Sequence, residues 1–331
     1  MPFKSSIFDY HLPPESINQN PYKDPNKSQL LIANTRDIIT FENLPSIINT
    51  PSLFILNKST VKNVRVKTNK LTGGSIEIFF LEILEDKIAK CLIKSSDKKH
   101  LNKHYKLNIF DFEIININND TFHIKTSLNI EEILSKHGKT PLPPYIEDDE
   151  YKYKYYNNQF SNGGFSVASP TAGLHFTNDL IERLKKDAHE FVYINLDVNI
   201  DTFKPVTSEY LEHHNIHEEK YRVLEDDLNK ILKAKDLGVD IYCVGTTSLR
   251  TIETVYLTNN LVGKTDYFIF PDTKISIPDY LITNFHAPKS SLLSIVSAVY
   301  GKEWIDLYKY ALDSDMKFLS FGDAVIFEVN E

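Results

Sequence analysis

The sequence predicts an α/β protein in which a barrel-like, parallel α/β domain is interrupted by a small all-β barrel. Three observations predict it. From Ser166 onward, short apolar strands alternate with stretches of helical period. Residues 61–140 instead carry β-branched and aromatic alternation broken by turn residues. The β-rich block also separates two parts of the chain that read as one domain. Residues 1–60 and 150–331 therefore form the discontinuous α/β domain, and 61–149 the insert.

In the insert, VKNVRVKT, SIEIFFLEIL, KIAKCLIK, YKLNIFDFEIININ and TFHIKTSL are the expected strands. Thr72-Gly73-Gly74 and Asn118-Asn119-Asp120 supply turns between them. A short helix follows at 130–136, and then Pro141-Leu142-Pro143-Pro144 as a rigid, extended connector. SVAS reads as a strand leading to a helix over 178–186, with Thr177 as its N-cap. FVYINLDV is the next strand. IYCV leads through Gly245-Thr246-Thr247-Ser248 into the helical LRTIETVYL, and LITNF leads through His286-Ala287-Pro288-Lys289 into a helix over 290–300. Residues 304–313 form a further helix and AVIFEV the closing strand. Strands alternating with helices are the signature of parallel βαβ packing.

A hydrophobic content of 41% with 25% charged residues describes a globular chain rather than a disordered one. MPFKSSIFDYHLPP lacks the apolar core of a signal peptide, and the longest apolar runs, such as 292–300, are too short to span a bilayer. Cys91 and Cys243 are the only cysteines and lie far apart in sequence, which points to a reducing cytoplasm without a disulfide framework. Cys243, inside IYCV, reads as core. The net charge of −8 argues against nucleic acid as an average. Between Lys58 and Lys106, however, twelve Lys or Arg face five Asp or Glu, while acids cluster elsewhere, as at Glu147-Asp148-Asp149-Glu150. A basic module on an acidic protein is a footprint for a polyanion; a solvated lysine-rich surface is the alternative.

Three strand-to-helix loops carry polar groups where α/β proteins place their chemistry. In Pro170-Thr171-Ala172-Gly173-Leu174-His175, Gly173 permits a tight backbone, and a solvent-facing His175 is suited to acid or base work near neutral pH. The alternative is a histidine that only bonds across the loop. In Gly245-Thr246-Thr247-Ser248, with Arg250 beyond, helix N-terminal N–H groups, hydroxyls and a guanidinium form a seat for an anion or carboxylate. Ordinary capping, with Arg250 on a solvated face, is the alternative there. In the loop from Thr283 to Ser291, Pro288 stiffens the backbone, Ser290 or Ser291 caps the next helix, and Asn284, His286 and Lys289 add three polar heads.

A fourth segment, His213-His214-Asn215-Ile216-His217-Glu218-Glu219, suits acid/base work or substrate contact, with a polar surface as the alternative, and also holds residue types that ligate zinc or iron. It is not the HExxH pattern, and no distant Cys/His set completes it. Neither a GxSxG elbow nor a Walker A ending occurs.

With these motifs in order, the chain resembles the S-adenosylmethionine:tRNA ribosyltransferase-isomerase family of queuosine biosynthesis. The resemblance runs through FDYHLPPESINQNP, KLTGGSIEIFFLE, TPLPPYI, SPTAGLHFT, DTFKPV, HNIHEE, VGTTSLRTIE, LITNFHAPKSSLLSIVSAVYG and FGDAV. It implies transfer and isomerisation of the ribosyl part of S-adenosylmethionine onto 7-aminomethyl-7-deazaguanine at the tRNA wobble position. Epoxyqueuosine forms, with adenine and methionine released. S-adenosylmethionine is a co-substrate, no metal or separate cofactor is implied, and the enzyme is expected to be a cytoplasmic monomer. The family fold, a larger α/β barrel-like domain with an inserted β-barrel, agrees with the reading from periodicity.

On this resemblance His175 and Glu219 are the expected general bases, and His286 the proton donor to departing adenine. Thr246, Thr247 and Arg250 suit the methionyl carboxylate, with Thr171, Gly173, His217, Asn284 and Lys289 as further substrate contacts. Lys62, Arg65 and Lys67 are the expected tRNA-backbone contacts. The chain departs from the family pattern at Asp197, Asn199 and Asp201, where a His and two Gly are usual. Gln29, Thr60 and Lys317 stand in place of Arg, and Asp272 in place of Gly. Losing basic residues weakens phosphate contacts, and losing Gly alters a close backbone approach. Two further readings stand beside this one: a metal-dependent hydrolase on His214, His217 and Glu219, and a catalytically inactive RNA-binding relative.

Overall fold

The periodicities sort the chain into strands and helices much as written above, in a computed structural model describing residues 2–199, 205–214, 216 and 218–330. In chain order these are β1 (Gln29–Ile32), β2 (Ile38–Thr40), α1 (Leu44–Ile47), β3 (Leu53–Asn57), β4 (Arg65–Asn69), β5 (Ser75–Glu85), β6 (Ile88–Lys94), β7 (His104–Lys106), β8 (Asp111–Asn118), β9 (Thr121–Thr126) and α2 (Ile130–His137). There follow α3 (Glu150–Tyr153), α4 (Asn178–Lys186), β10 (Glu190–Leu196), β11 (Glu219–Arg222), α5 (Glu225–Asp236), β12 (Ile241–Val244), α6 (Thr246–Thr258), β13 (Val262–Thr265), β14 (Tyr280–Asn284), α7 (Leu292–Tyr300), α8 (Trp304–Asp313) and β15 (Ala324–Glu328). Two compact units result: Met1–Thr60 with Pro143–Glu331, and Val61–Leu142. Among the described residues no helix is long and apolar enough to cross a membrane.

The larger unit is built on a sheet of order β13-β11-β10-β3-β12-β14-β15-β1-β2. Its central strands β3, β12, β14 and β15 are buried on both faces, and alternation sends neighbours into different cores. Leu53 and Ile55 of β3, Ile241 and Cys243 of β12, and Leu281 of β14 pack with α6, α7 and α8 through Leu249, Ile252, Val296 and Leu307. Phe54, Leu56, Tyr242, Val244 and Ile282 pack on the other face with Leu180, Ile181 and Leu184 of α4 and with Phe41 and Leu44. Burying each such side chain contributes about 1.5–3 kcal/mol. The result is a helix–sheet–helix layering, with Thr177 capping α4 by accepting from the Leu180 N–H at 3.2 Å.

Two expectations are corrected here. The sheet is mixed rather than a parallel barrel. The β10–β3, β3–β12, β12–β14 and β15–β1 pairs are parallel, but β13–β11, β11–β10, β14–β15 and β1–β2 are antiparallel. For β1 and β2 the cause is local: a tight turn, with Arg36 N–H donating to Ile32 O at 2.8 Å, leaves no length for a crossover. SVAS, expected as a strand, is irregular apart from a bridge at Ser166. Its N–H groups bond to Thr60 and Val198 carbonyls instead of to a full neighbouring strand.

The smaller unit is an antiparallel sheet of order β4-β5-β6-β9-β8-β7 with Ile76, Ile78, Phe80, Cys91 and Phe112 buried. Register shifts in β5 between Phe80 and Glu82 and in β8 between Ile114 and Asn116 add local twist. The two edge strands meet beyond their ends: Leu71 N–H donates to Lys106 O at 2.9 Å and Asn108 N–H to Asn69 O at 3.1 Å. Pro143 to Asp149 belong with the larger unit.

Candidate active site

A cavity of about 290 Å³ lies in the larger unit where β12 and β14 end. The three loops singled out in the sequence line it, through Ser169–Ala172, Gly245–Thr247 and Thr283–Pro288. Each loop is held there for a physical reason. Gly173 leaves room for its neighbours: a Cβ there would meet the Asn158 amide nitrogen at 2.6 Å and the Phe160 ring at 2.9 Å, so both side chains would have to shift. Gly245 has φ +85°, a conformation L side chains rarely adopt, and it turns the end of β12 into α6. At the third loop the capping hydroxyl is that of Ser290, which accepts from the Leu292 N–H at 3.1 Å. Leu319, also lining the cavity, is held at φ +68°, a strained conformation for a branched residue.

The α6 N-terminus lines this cavity through Gly245, Thr246 and Thr247, where the first N–H groups of a helix lack intrahelical partners. Beside them Thr247 Oγ1 and Ser169 Oγ are buried with no hydrogen-bond partner among the described residues. Buried hydroxyls without partners are costly, so a polar ligand that satisfies them binds with advantage.

Asn284 is the best-anchored polar group in the wall. Thr171 Oγ1 donates to its Oδ1 at 2.9 Å, and its Nδ2 faces His175 Nε2 at 3.1 Å and the Gly322 and Asp323 carbonyls at 3.4 and 3.3 Å. With the amide donating, His175 Nε2 is the acceptor and Nδ1–H donates to Ser28 Oγ at 2.8 Å. Ser28 Oγ in turn donates to Pro25 O at 2.7 Å. The ring stacks on Phe41 at 4.9 Å. His175 is 4% exposed, so the expectation of a solvent-facing histidine is corrected: packing by Phe41 and two hydrogen bonds hold it behind Asn284. Burial lowers its pKa to about 4.

His286 does line the cavity. Its Nε2 lies 3.3 Å from Thr283 Oγ1, its backbone N–H donates to the Tyr308 hydroxyl at 3.3 Å, and its carbonyl accepts from the Tyr10 hydroxyl. Burial lowers its pKa to about 3, so it is neutral near pH 7. Both imidazoles titrate near 6.5 once the chain unfolds. Their folded pKa values are depressed, so this stability is present above about pH 6.5 and is lost as pH falls towards 4 and 3. Urea unfolding is expected to show a lower midpoint near pH 5 than near pH 7, with an unchanged slope. An equal or higher midpoint at the lower pH contradicts the burial of both rings.

Glu219 and Arg250 form a buried ion pair, and Glu219 Oε1 also accepts from the Asn199 N–H at 2.7 Å. Desolvation lowers the Arg250 pKa to about 10. Arg250, expected beside the methionyl carboxylate, has its guanidinium paired with Glu219. Lys289, expected as a substrate contact, is exposed at φ +58°, pairs with Asp9 at 3.0 Å and does not line the cavity. His214 sets its ring edge-on to Phe268 at 6.0 Å, while His217 and Asp201 lie outside the described residues. In the smaller unit Arg65, 15% exposed, is bound to Glu77 and lies over the Phe79 ring; Lys67 is exposed, 3.8 Å from Glu77, and Lys62 is half-buried.

Among the departures, Asp197 and Lys317 bond through their side chains, and Gln29 and Thr60 through their backbones. Asp197 Oδ1 accepts from Ser59 Oγ and the Phe165 N–H at 2.7 and 2.8 Å, and Gln29 donates its N–H to Asp323. Lys317 Nζ reaches the Glu15 carbonyl at 3.3 Å, and Thr60 bonds through its backbone to Gly163 and Ser166. Residues that the sequence reading did not single out are Ser28, with no local signal, Ser169, which opens the SPTAGLHFT motif, and Ser320, which precedes FGDAV.

Comparison with known proteins follows the same lines. A family model described as Queuosine biosynthesis protein matches residues 5–327. The S-adenosylmethionine:tRNA ribosyltransferase-isomerase of Thermotoga maritima is 37% identical over 336 residues, covering 98% of this chain and 99% of that protein. The protein of the same name from Sulfurihydrogenibium is 38% identical over 335 residues, covering 98% and 99%. The crystal structure of the S-adenosylmethionine tRNA ribosyltransferase of Thermotoga maritima superposes with a TM-score of 0.55 and 30% identity, covering 97% of this chain and 99% of that one.

Proposed function

We propose, from the premise that this chain belongs to the queuosine biosynthesis protein family, that it is an S-adenosylmethionine:tRNA ribosyltransferase-isomerase. The observation that carries this reading is the convergence of the SPTAGLHFT, VGTTSLRTIE and LITNFHAPKSS loops on one cavity, in a chain that matches its relatives nearly end to end. The substrates are S-adenosylmethionine and a tRNA with 7-aminomethyl-7-deazaguanine at the wobble position. Adenine and methionine leave, and epoxyqueuosine remains on the tRNA. S-adenosylmethionine is co-substrate with no separate cofactor. In this reading the enzyme works on cytoplasmic tRNA as a monomer.

In this reading the methionyl carboxylate sits at the α6 N-terminus, where the Thr246 and Thr247 N–H groups and the Thr247 and Ser169 hydroxyls are available to it. His286 is the cavity imidazole facing the nucleobase that leaves. Being neutral, it acts as a hydrogen-bonding group toward the purine rather than as an imidazolium acid. Asn284 fixes the sugar or the incoming amine with its polar head, and Thr171 and His175 hold that head in orientation. Gly173 lets the loop close against Asn158. Glu219 and Arg250 brace the segment around Asn199 rather than touching the carboxylate. The smaller unit, read as a β-barrel, offers Lys62 and Lys67 to the tRNA backbone.

Incubation with S-adenosylmethionine and precursor-bearing tRNA is expected to release free adenine, detected by mass spectrometry, only when both substrates are present. No adenine at any pH tested overturns the reading and leaves an inactive RNA-binding relative in its place.

A further inference from the structure

A second cavity, of about 340 Å³, lies in the larger unit and has no role in the account above. Tyr22, Tyr155, Phe321, Asn157, Gln159 and His175 are among its lining residues. We propose that it is a nucleobase pocket for an RNA nucleotide, an inference that rests on the reading of this chain as a tRNA-modifying enzyme.

The chemistry of the lining carries the proposal. Aromatic rings are the groups on which any base can stack, and Gln159, whose Oε1 accepts from the Asn178 N–H at 2.9 Å, has its amide Nε2 to donate to a base edge. The volume is at the small end of the range for ligand pockets, about 300–1,000 Å³, which suits a single heterocycle. Two of the rings are fixed before a ligand arrives. The Tyr22 hydroxyl donates to Asp323 Oδ1 at 2.7 Å, and Phe321 packs edge-on to Tyr156 at 5.9 Å. Fixed rings lose little freedom on binding.

Charge tells an RNA base from the adenine of the co-substrate. Lys154, an exposed lining residue, places its ammonium 4.7 and 4.9 Å from the Tyr151 and Tyr155 rings. Lys23, also exposed, stands close enough to act on the Tyr155 phenol. A hydrogen bond from Tyr151 and the charges of Lys154 and Lys23 lower that phenol's pKa. Two cations beside a stacking pocket match a base that carries phosphates on either side. S-adenosylmethionine has no phosphate. The two cavities also adjoin: Ser320 lines both, and Asn284 of the first is bonded to His175 of the second. A base held here lies one side chain away from the proposed co-substrate.

The test measures fluorescence anisotropy of a fluorescein-labelled anticodon stem–loop RNA, with adenine release assayed in parallel. Tyr155→Ala is expected to weaken RNA binding about tenfold or more, while Tyr155→Phe, which keeps the ring, stays near wild type. Lys154→Ala, at an exposed position that the fold does not need, is expected to weaken binding and to lower the salt slope by about one. The KM for S-adenosylmethionine is expected to hold in all three. The proposal falls if Tyr155→Ala binds the RNA as wild type does, or if its defect appears in the KM for S-adenosylmethionine, which makes the pocket an adenine site. Binding is read directly, so the two readings fail separately. Ring-dependent RNA binding without adenine release overturns the transferase reading alone, and adenine release with ring-independent binding overturns this one alone.

Discussion

Arg250→Met is expected to cost about 3–5 kcal/mol of folding stability, because it leaves the Glu219 carboxylate buried with its charge uncompensated. The pair sits at 10% and 4% side-chain exposure, so water cannot replace the guanidinium without opening the structure. The Asn199 N–H offsets only part of the loss. Two further outcomes separate this mechanism from a simple loss of packing. Without its partner, Glu219 is pushed toward its neutral form, which raises its folded pKa. The variant therefore binds more protons folded than unfolded, and its deficit shrinks as pH falls through the carboxylate range. The double variant Glu219→Gln/Arg250→Met is expected to be more stable than Arg250→Met alone, since replacing both ions removes the stranded charge. Urea midpoints for the three proteins at two pH values check this. A double variant whose loss relative to wild type equals the sum of the Glu219→Gln and Arg250→Met losses shows that the pair is not coupled.

What could be read from residues alone was what local physics decides. Thr177 was legible as a cap because a hydroxyl before an amphipathic run satisfies the first N–H groups wherever the helix ends up. Residues 304–313 were legible because their apolar stripe repeats at helical spacing and ends in Asp313. Two of the three site loops, those after β12 and β14, could be placed at strand ends from their glycine, proline and hydroxyls. What could not be read was what distant chain brings. The burial of His175 depends on Ser28 and Phe41, from a part of the chain whose sequence carries no sign of that meeting. The commitment of Arg250 depends on Glu219, which a list of polar residues places equally well beside a metal. SVAS reads as a strand because it is short and apolar, but its neighbours are the irregular backbone of Thr60 and Val198. The antiparallel pairs escaped notice because an apolar run reads the same in either direction.

The second large effect is expected at Asn284. Asn284→Asp keeps the shape but replaces the donating Nδ2 with a second acceptor, which then faces His175 Nε2 and the carbonyls of Gly322 and Asp323. The acceptor now in the cavity wall must be protonated, turn away, or draw a proton onto His175, whose folded pKa of about 4 rises beside a carboxylate. Any of the three displaces the polar head from where Thr171 and His175 hold it, and displacements on the order of 1 Å cost about 100-fold in rate. Turnover, read as adenine release, is expected to fall by about that factor. The KM for S-adenosylmethionine is expected to change much less, and a new acidic limb should appear in the pH profile. His175→Ala removes the same restraint from the other side. If His175 acts through Asn284, the double variant is no slower than the slower single one, because a unit already broken cannot be broken again. If instead His175 takes a substrate proton itself, its loss adds to that of Asn284. If His175→Ala stays within about threefold of wild type, less than about 1 kcal/mol of barrier, neither role is needed and the buried ring is there for the fold alone.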